Sequence, residues 1–136
     1  MSDTTDNTAR HSLTSVRRWV IKVGSALLTN DGLGLDPLVM KTLTRQLASL
    51  HSLGHEVVLV SSGAIAAGLV RLNLPERPRE IHLSQAAAAV GQSALVRAYE
   101  DCLAPHGVMT AQILLSHADV RARDRYLNAR STLNTL

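Results

Sequence analysis

Two short stretches carry residues whose types and spacing suit the binding of an anion. In the first, Lys22 sits among Trp19, Val20, Ile21 and Val23, and Gly24 and Ser25 follow it. A lysine inside an apolar strand either snorkels from an edge into solvent or is held at the strand end facing an anion. In the second, Val57 to Val60 run without a charge into Ser61, Ser62 and Gly63. Such a β-branched run is the pattern of a strand buried on both faces, as in a parallel sheet. A serine between that strand and a helical pattern suits an N-cap. Behind it, Ala64, Ala66, Ala67 and Gly68 are spaced among Ile65, Leu69 and Val70. Small residues there let the helix start lie close to a ligand or to a neighbouring backbone. Free N–H groups, with the positive end of the helix dipole behind them, accept carboxylate or phosphate. An ordinary serine-capped turn accounts for the same residues, so both readings stand at this point. Ligand sites nonetheless favour the carboxyl ends of parallel strands.

Other candidates are weaker. Gly32-Leu33-Gly34 lacks the third glycine of a dinucleotide fingerprint, and no Walker A sequence occurs. The six histidines, at 11, 51, 55, 82, 106 and 117, lie far apart. His51 and His55 share an i, i+4 spacing, but Gly54 between them marks a helix end, and a surface pair is expected rather than a metal site. Cys102 is the single cysteine. It excludes an internal disulfide, fits a reducing compartment, and reads as a packed thiol without a base partner. Gln92 is either an amide donor in a site or a surface residue.

The elements that must position these residues follow from pattern. Met1 to Val16 is rich in Ser, Thr, Asp and Asn without periodicity; residues 1–17 are expected to be a disordered or loosely held tail. Trp19 to Val23 is a first strand. Asn30, Asp31, Gly32 and Gly34 are turn chemistry for a hairpin or flap. Asp36-Pro37 opens a helix, with Leu38, Leu43, Leu47 and Leu50 near helical spacing until Gly54. The central strand and its helix follow, so strand, helix, strand predicts a parallel pair with a right-handed crossover. A loop at Asn73 to Arg79 precedes a helix from Glu80 to about Ala104. Gly91 inside it predicts a break or a close approach. Val108 to Leu115 reads as a third strand. From Asp119 onward a basic helix is expected, with Ser116 or Asp119 as its cap and Val120, Tyr126, Leu127 and Leu133 buried. The apolar pattern runs to Leu136 without a stop signal, which predicts a domain that continues and a chain that is a fragment.

Composition bounds the class. The 136 residues are 46% hydrophobic but 2% aromatic, with no Phe, so Leu, Val, Ile and Ala must build one helix-covered core. The net charge of +3 and pI near 9.6 come from scattered arginines. Arg121, Arg123, Arg125 and Arg130 interleave with Asp119 and Asp124. That is a solvated helix face, not a nucleic-acid surface. No secretory h-region or membrane-length apolar run is present, and a soluble cytoplasmic protein is expected.

Four stretches together resemble the amino acid kinase family, and within it the glutamate 5-kinases. They are WVIKVGSALLT at 19–29, EVVLVSSGAIAAG at 56–68, QAAAAVGQSALV at 85–96 and AQILLSHADVRARDRYLNARSTL at 111–133. The resemblance implies an α/β fold, a three-layer αβα sandwich around a mainly parallel sheet, with 18–136 as its amino-terminal, amino-acid-binding part. It implies ATP with Mg²⁺ carried by the nucleotide, and phosphorylation of the γ-carboxylate of L-glutamate to glutamyl 5-phosphate, the first step toward proline. It also implies proline as a possible feedback inhibitor, a homo-oligomer, and in many members an appended PUA domain. By the same resemblance Lys22 contacts the transferring phosphoryl group and the ATP phosphates, and Ser62 binds glutamate. Gly24 and Gly63 let backbone N–H groups approach phosphoryl and carboxylate oxygens. Asp119 falls near substrate and proline-response elements, although a structural cap accounts for it equally.

This assignment agrees with the chemistry. The attacking carboxylate, with an ordinary pKa of about 4.3, is ionised at neutral pH and needs no general base. Catalysis reduces to positioning and neutralising negative charge. The first motif departs slightly, as KVGSALL. The family's later substrate-binding acid, Asn-Asp pair, second lysine and nucleotide-binding half fall beyond Leu136, so this chain alone is expected to be inactive. Two alternatives compete: a sibling kinase acting on acetylglutamate, aspartate, carbamate or UMP, and a non-catalytic module that binds glutamate or proline or associates subunits.

Overall fold

The computed structural model describes Leu13 and residues 15–136; the expected tail falls largely outside them. Two strands, β1 (Arg18–Val23) and β2 (Glu56–Ser61), pair in parallel. Helix α1 (Ser25–Leu28) and helix α2 (Pro37–Ser52) connect them. Helix α3 (Ala64–Arg71) follows β2, and the long helix α4 (Ile81–Leu103) follows α3. A 3₁₀ turn at Ala104–His106 ends α4, with Gly107 in the left-handed region at φ 68°. The chain closes with α5 (His117–Arg121) and α6 (Arg123–Thr135).

Local chemistry explains these starts and stops. Asp36 caps α2: its carboxylate accepts from the N–H groups of Leu38 at 2.8 Å and Val39 at 3.2 Å, with Pro37 in the first turn. Removing that acceptor in Asp36→Ala is expected to cost about 1 kcal/mol. A urea melt that leaves the midpoint unmoved would contradict it. The turn at residues 30–34 is hairpin-like, closed by an antiparallel bridge between Thr29 and Leu35.

Paired residues of parallel strands share a face. Trp19, Ile21 and Val23 stand beside Val57, Leu59 and Ser61, on the side covered by helices. Val23, Leu28, Met40, Leu95 and Tyr99 form a buried cluster there, with Ile21, Leu59 and Cys102 packed around it. Each fully buried aliphatic side chain of this kind contributes about 1.5–3 kcal/mol. The opposite face, carrying Val20 and Lys22 beside Val58 and Val60, is open: Val20 is 67% and Val60 50% exposed. The expectation that Val57 to Val60 are buried on both faces is therefore corrected. The core cluster lies on one face of the pair, and at the start of β1 Arg18 donates to Asn134 of α6 at 3.0 Å.

Three further expectations change. Val108 to Leu115 is not a strand, because its backbone joins no ladder; an apolar run becomes a strand only against a partner. The carboxyl-terminal helix is broken at Ala122, whose extended backbone (ψ 119°) separates α5 from α6. Val120, Tyr126 and Leu127 are exposed and Leu133 is half-buried, since no described element covers them fully. Finally, α2 buries Met40, Thr44, Leu47 and Ala48, while Leu38 is 77% exposed. Of the leucine stripe, Leu47 is buried and Leu43 packs against the core cluster.

Helices α3 and α4 meet without intervening side chains. A Cβ built on Gly68 would collide with the Ala87 backbone, and one built on Gly91 with the Ala64 carbonyl and the Gly68 backbone. Gly91 is thus a close approach and not a break, since α4 runs through it unbroken.

Candidate functional site

The parallel register sets the carboxyl ends of both strands side by side. Val23 pairs with Ser61, and the Ser62 N–H donates to the Val23 carbonyl at 3.0 Å. Gly24 and the Ser62-Gly63 turn are therefore neighbours at one strand-end juncture. Lys22, Gly24 and Ser62 are exposed there, and Gly63 is buried. The structure brings together the backbones of all four residues singled out from the sequence.

Neither Ser61 nor Ser62 caps α3, contrary to the expectation of a serine cap. Gly63 occupies the N-cap position at φ 109°, and no side chain accepts from the first turn. A side chain at that φ would be strained, and a Cβ would meet Leu35 at 3.3 Å. With the cap left to a glycine, the N–H groups opening the helix have no side-chain acceptor from their own turn. The Ser62 hydroxyl, freed from capping, has no hydrogen-bond partner among the described residues. Gly24 differs. Its backbone is ordinary (φ −78°, ψ 159°) and a Cβ would meet nothing within 4 Å. The chain's own packing does not require glycine there, and what glycine preserves is open space beside the backbone.

Lys22 lies on the open face, opposite Val60. It forms no ion pair with the described residues, and its ammonium is available to an incoming anion.

The juncture is braced from below by α4. Its buried positions, Ala87, Gly91, Leu95, Tyr99 and Leu103, recur every four residues. Gly91 abuts Ala64, and Leu95 lies 3.9 Å from where a Gly63 Cβ would stand. The Tyr99 hydroxyl is 2.7 Å from Ser61 Oγ. Burial pushes the Tyr99 hydroxyl above its ordinary pKa, partly offset by that hydrogen bond. Sequence reasoning passed over Tyr99 and Leu95, and the four-residue recurrence from Ala87 was the signal that contained them. Gln92 is half-buried on the same helix, and no described contact ties it to the juncture.

Asp119 stands apart. Its carboxylate accepts from the Ser116 N–H at 2.8 Å and from the Ser116 hydroxyl, completing a capping box for α5. These bonds to Ser116, and then nearby Arg125, hold its carboxyl below the ordinary value. A surface hollow beside it is lined by Arg18, Tyr126 and Arg130, and another by Arg77, Arg79 and Ser84; neither includes the strand-end residues. Among the described residues no group of three or more His, Cys, Asp or Glu is placed to hold a metal. No helix is long and apolar enough to cross a membrane.

The description of the amino acid kinase family matches residues 17–136. The chain belongs to the amino acid kinase family. Curated relatives agree. A glutamate 5-kinase from Azoarcus sp. (strain BH72) is 58% identical over 127 residues, 93% of this chain and 34% of that protein. One from Saccharophagus degradans is 61% identical over 120 residues, 88% and 32%. One from Pseudomonas aeruginosa (strain UCBPP-PA14) is 57% identical over 127 residues, 93% and 34%. The chain spans about a third of the length of these relatives. The family assignment and the parallel strands with their helices agree with the α/β fold expected from the sequence.

Proposed function

We propose that residues 18–136 are the amino-terminal, amino-acid-binding part of a glutamate 5-kinase. The complete protein transfers the γ-phosphoryl group of ATP to the γ-carboxylate of L-glutamate, giving glutamyl 5-phosphate in the first step toward proline. The observation that carries this reading is the strand-end juncture, with Lys22, Gly24, Ser62 and Gly63 on adjoining turns, in a chain about 58% identical to proteins of that name.

A carboxylate oxygen attacks the γ-phosphorus, the bond to the bridging oxygen breaks, and ADP leaves. No proton need move, because the nucleophile arrives ionised. Lys22 neutralises charge building on the phosphoryl oxygens, and the N–H of Gly24 approaches the same group. Ser62 and the N–H of Gly63 hold glutamate. Mg²⁺ arrives on the nucleotide, which it helps to neutralise. On this reading the complete protein is cytoplasmic, takes proline as a feedback inhibitor and assembles as a homo-oligomer. The juncture supplies one lysine and one helix start, and the 136-residue chain alone is expected not to turn over ATP and glutamate. Glutamate-dependent ATP hydrolysis by the isolated chain that Lys22→Ala abolishes would overturn that expectation.

Trapping the acyl phosphate with hydroxylamine tests the main reading. The complete protein should form hydroxamate with L-glutamate, and Ser62→Ala should raise the glutamate KM roughly ten-fold while kcat changes little, as loss of one hydrogen bond to a charged group implies. Hydroxamate from another acid and not from glutamate would move the substrate to a sibling kinase.

A further inference from the structure

We propose that Tyr99 and Ser61 are positioning residues that lock the Ser62–Gly63 peptide in the orientation the substrate turn requires. The inference rests on the reading of Ser62 and Gly63 as the glutamate-binding turn, and it extends the site to two residues that touch no substrate. Ser61 Oγ lies 2.7 Å from the Tyr99 hydroxyl and 3.0 Å from the Ser62 carbonyl oxygen. A carbonyl only accepts, so the single Ser61 hydroxyl proton goes to Ser62. Tyr99 must then donate to Ser61. The relay runs in one direction, from Tyr99 to Ser61 to the Ser62 carbonyl.

Its consequence lies in the next bond. The peptide joining Ser62 to Gly63 is planar and trans. Fixing the Ser62 carbonyl therefore aims the Gly63 N–H in the opposite direction. On its other side Ser62 is tied by its own N–H to Val23. Both peptides flanking Ser62 are thus held, which fixes the base from which its hydroxyl projects. A restraint is useful here because Gly63, at φ 109°, has access to many other backbone states. Tyr99 suits the anchoring role: it is buried on α4 within the main core cluster, while Ser62 is exposed.

The test uses the complete protein with Ser61→Ala, Ser61→Thr, Tyr99→Phe and the double variant Ser61→Ala/Tyr99→Phe. Tyr99→Phe keeps the ring in the core. Two readings are taken: hydroxamate kinetics, and amide hydrogen exchange across residues 57–68 without substrate. Ser61→Ala and Tyr99→Phe should each raise the glutamate KM roughly three- to ten-fold, with kcat and the ATP KM little changed, as loss of one orienting hydrogen bond predicts. Exchange in the turn should quicken in both variants. Ser61→Thr, which keeps the hydroxyl, should behave as wild type. The double variant should be no worse than Ser61→Ala alone, because the two bonds act in series. Unchanged exchange in both single variants, or penalties that multiply in the double variant, would overturn the relay. Absence of glutamate-dependent hydroxamate in the wild-type protein would sink the proposed function instead. The exchange measurement would then decide the relay alone.

Discussion

Lys22→Ala is expected to lower kcat for glutamate phosphorylation by about a hundred-fold or more while leaving the glutamate KM nearly unchanged. Removing one charge-stabilising donor from a transition state costs this much where the group acts mainly on developing charge. The separation of kcat from KM follows from where Lys22 sits. It is exposed on the open face of β1 and takes no part in the core. Its loss should therefore leave the unfolding midpoint close to wild type. Lys22→Arg should recover little, because a planar guanidinium does not reproduce a compact ammonium at a fixed phosphoryl position. Steady-state hydroxamate kinetics on the complete protein would check this. A kcat within about five-fold of wild type, well short of what such donors supply, would remove Lys22 from the chemistry.

Gly91→Ala should be severely damaging, costing about 3 kcal/mol or more. Overpacking a tight contact ordinarily costs 1–3 kcal/mol, and here the obstruction is backbone on both sides. The added methyl would collide with the Ala64 carbonyl and the Gly68 backbone, neither of which has a rotamer to change. Relief requires α3 and α4 to separate. That movement would displace Ala64, the first residue of α3 and the neighbour of Gly63. Stability and glutamate binding should consequently fall together. Gly24→Ala is the matched control: its Cβ meets nothing, so its unfolding midpoint should stay near wild type. Equal midpoints for Gly91→Ala and Gly24→Ala in a urea titration would refute the close-packed crossing.

What was legible from the sequence was what depends on near neighbours. Asp36-Pro37 announces the start of α2 because an acceptor and a fixed φ act within one turn. Gly107 closes the turn after α4 because a left-handed residue is needed there. Lys22, Gly24, Ser62 and Gly63 stood out because each follows or interrupts an apolar strand. The family motifs, spread across residues 19–133, carried the fold class.

Tertiary contacts decided the remainder. Ser62 reads locally as a cap, yet the left-handed Gly63 takes that position and leaves the hydroxyl free. Val108 to Leu115 has the composition of a strand, but composition supplies no hydrogen-bonded neighbour. Val120, Tyr126 and Leu127 form an apolar pattern that no described element covers fully. Within the leucine stripe of α2, Leu47 is buried while Leu38 is 77% exposed, because the neighbours a helix packs against set its buried face. Gly91 signalled a close approach, but nothing local named Gly68 as its partner. Tyr99 and Ser61 are thirty-eight residues apart in the chain. Only the folding of α4 beneath the end of β2 brings them within a hydrogen bond, because side-chain chemistry sets what each group can bind and chain topology sets what it meets.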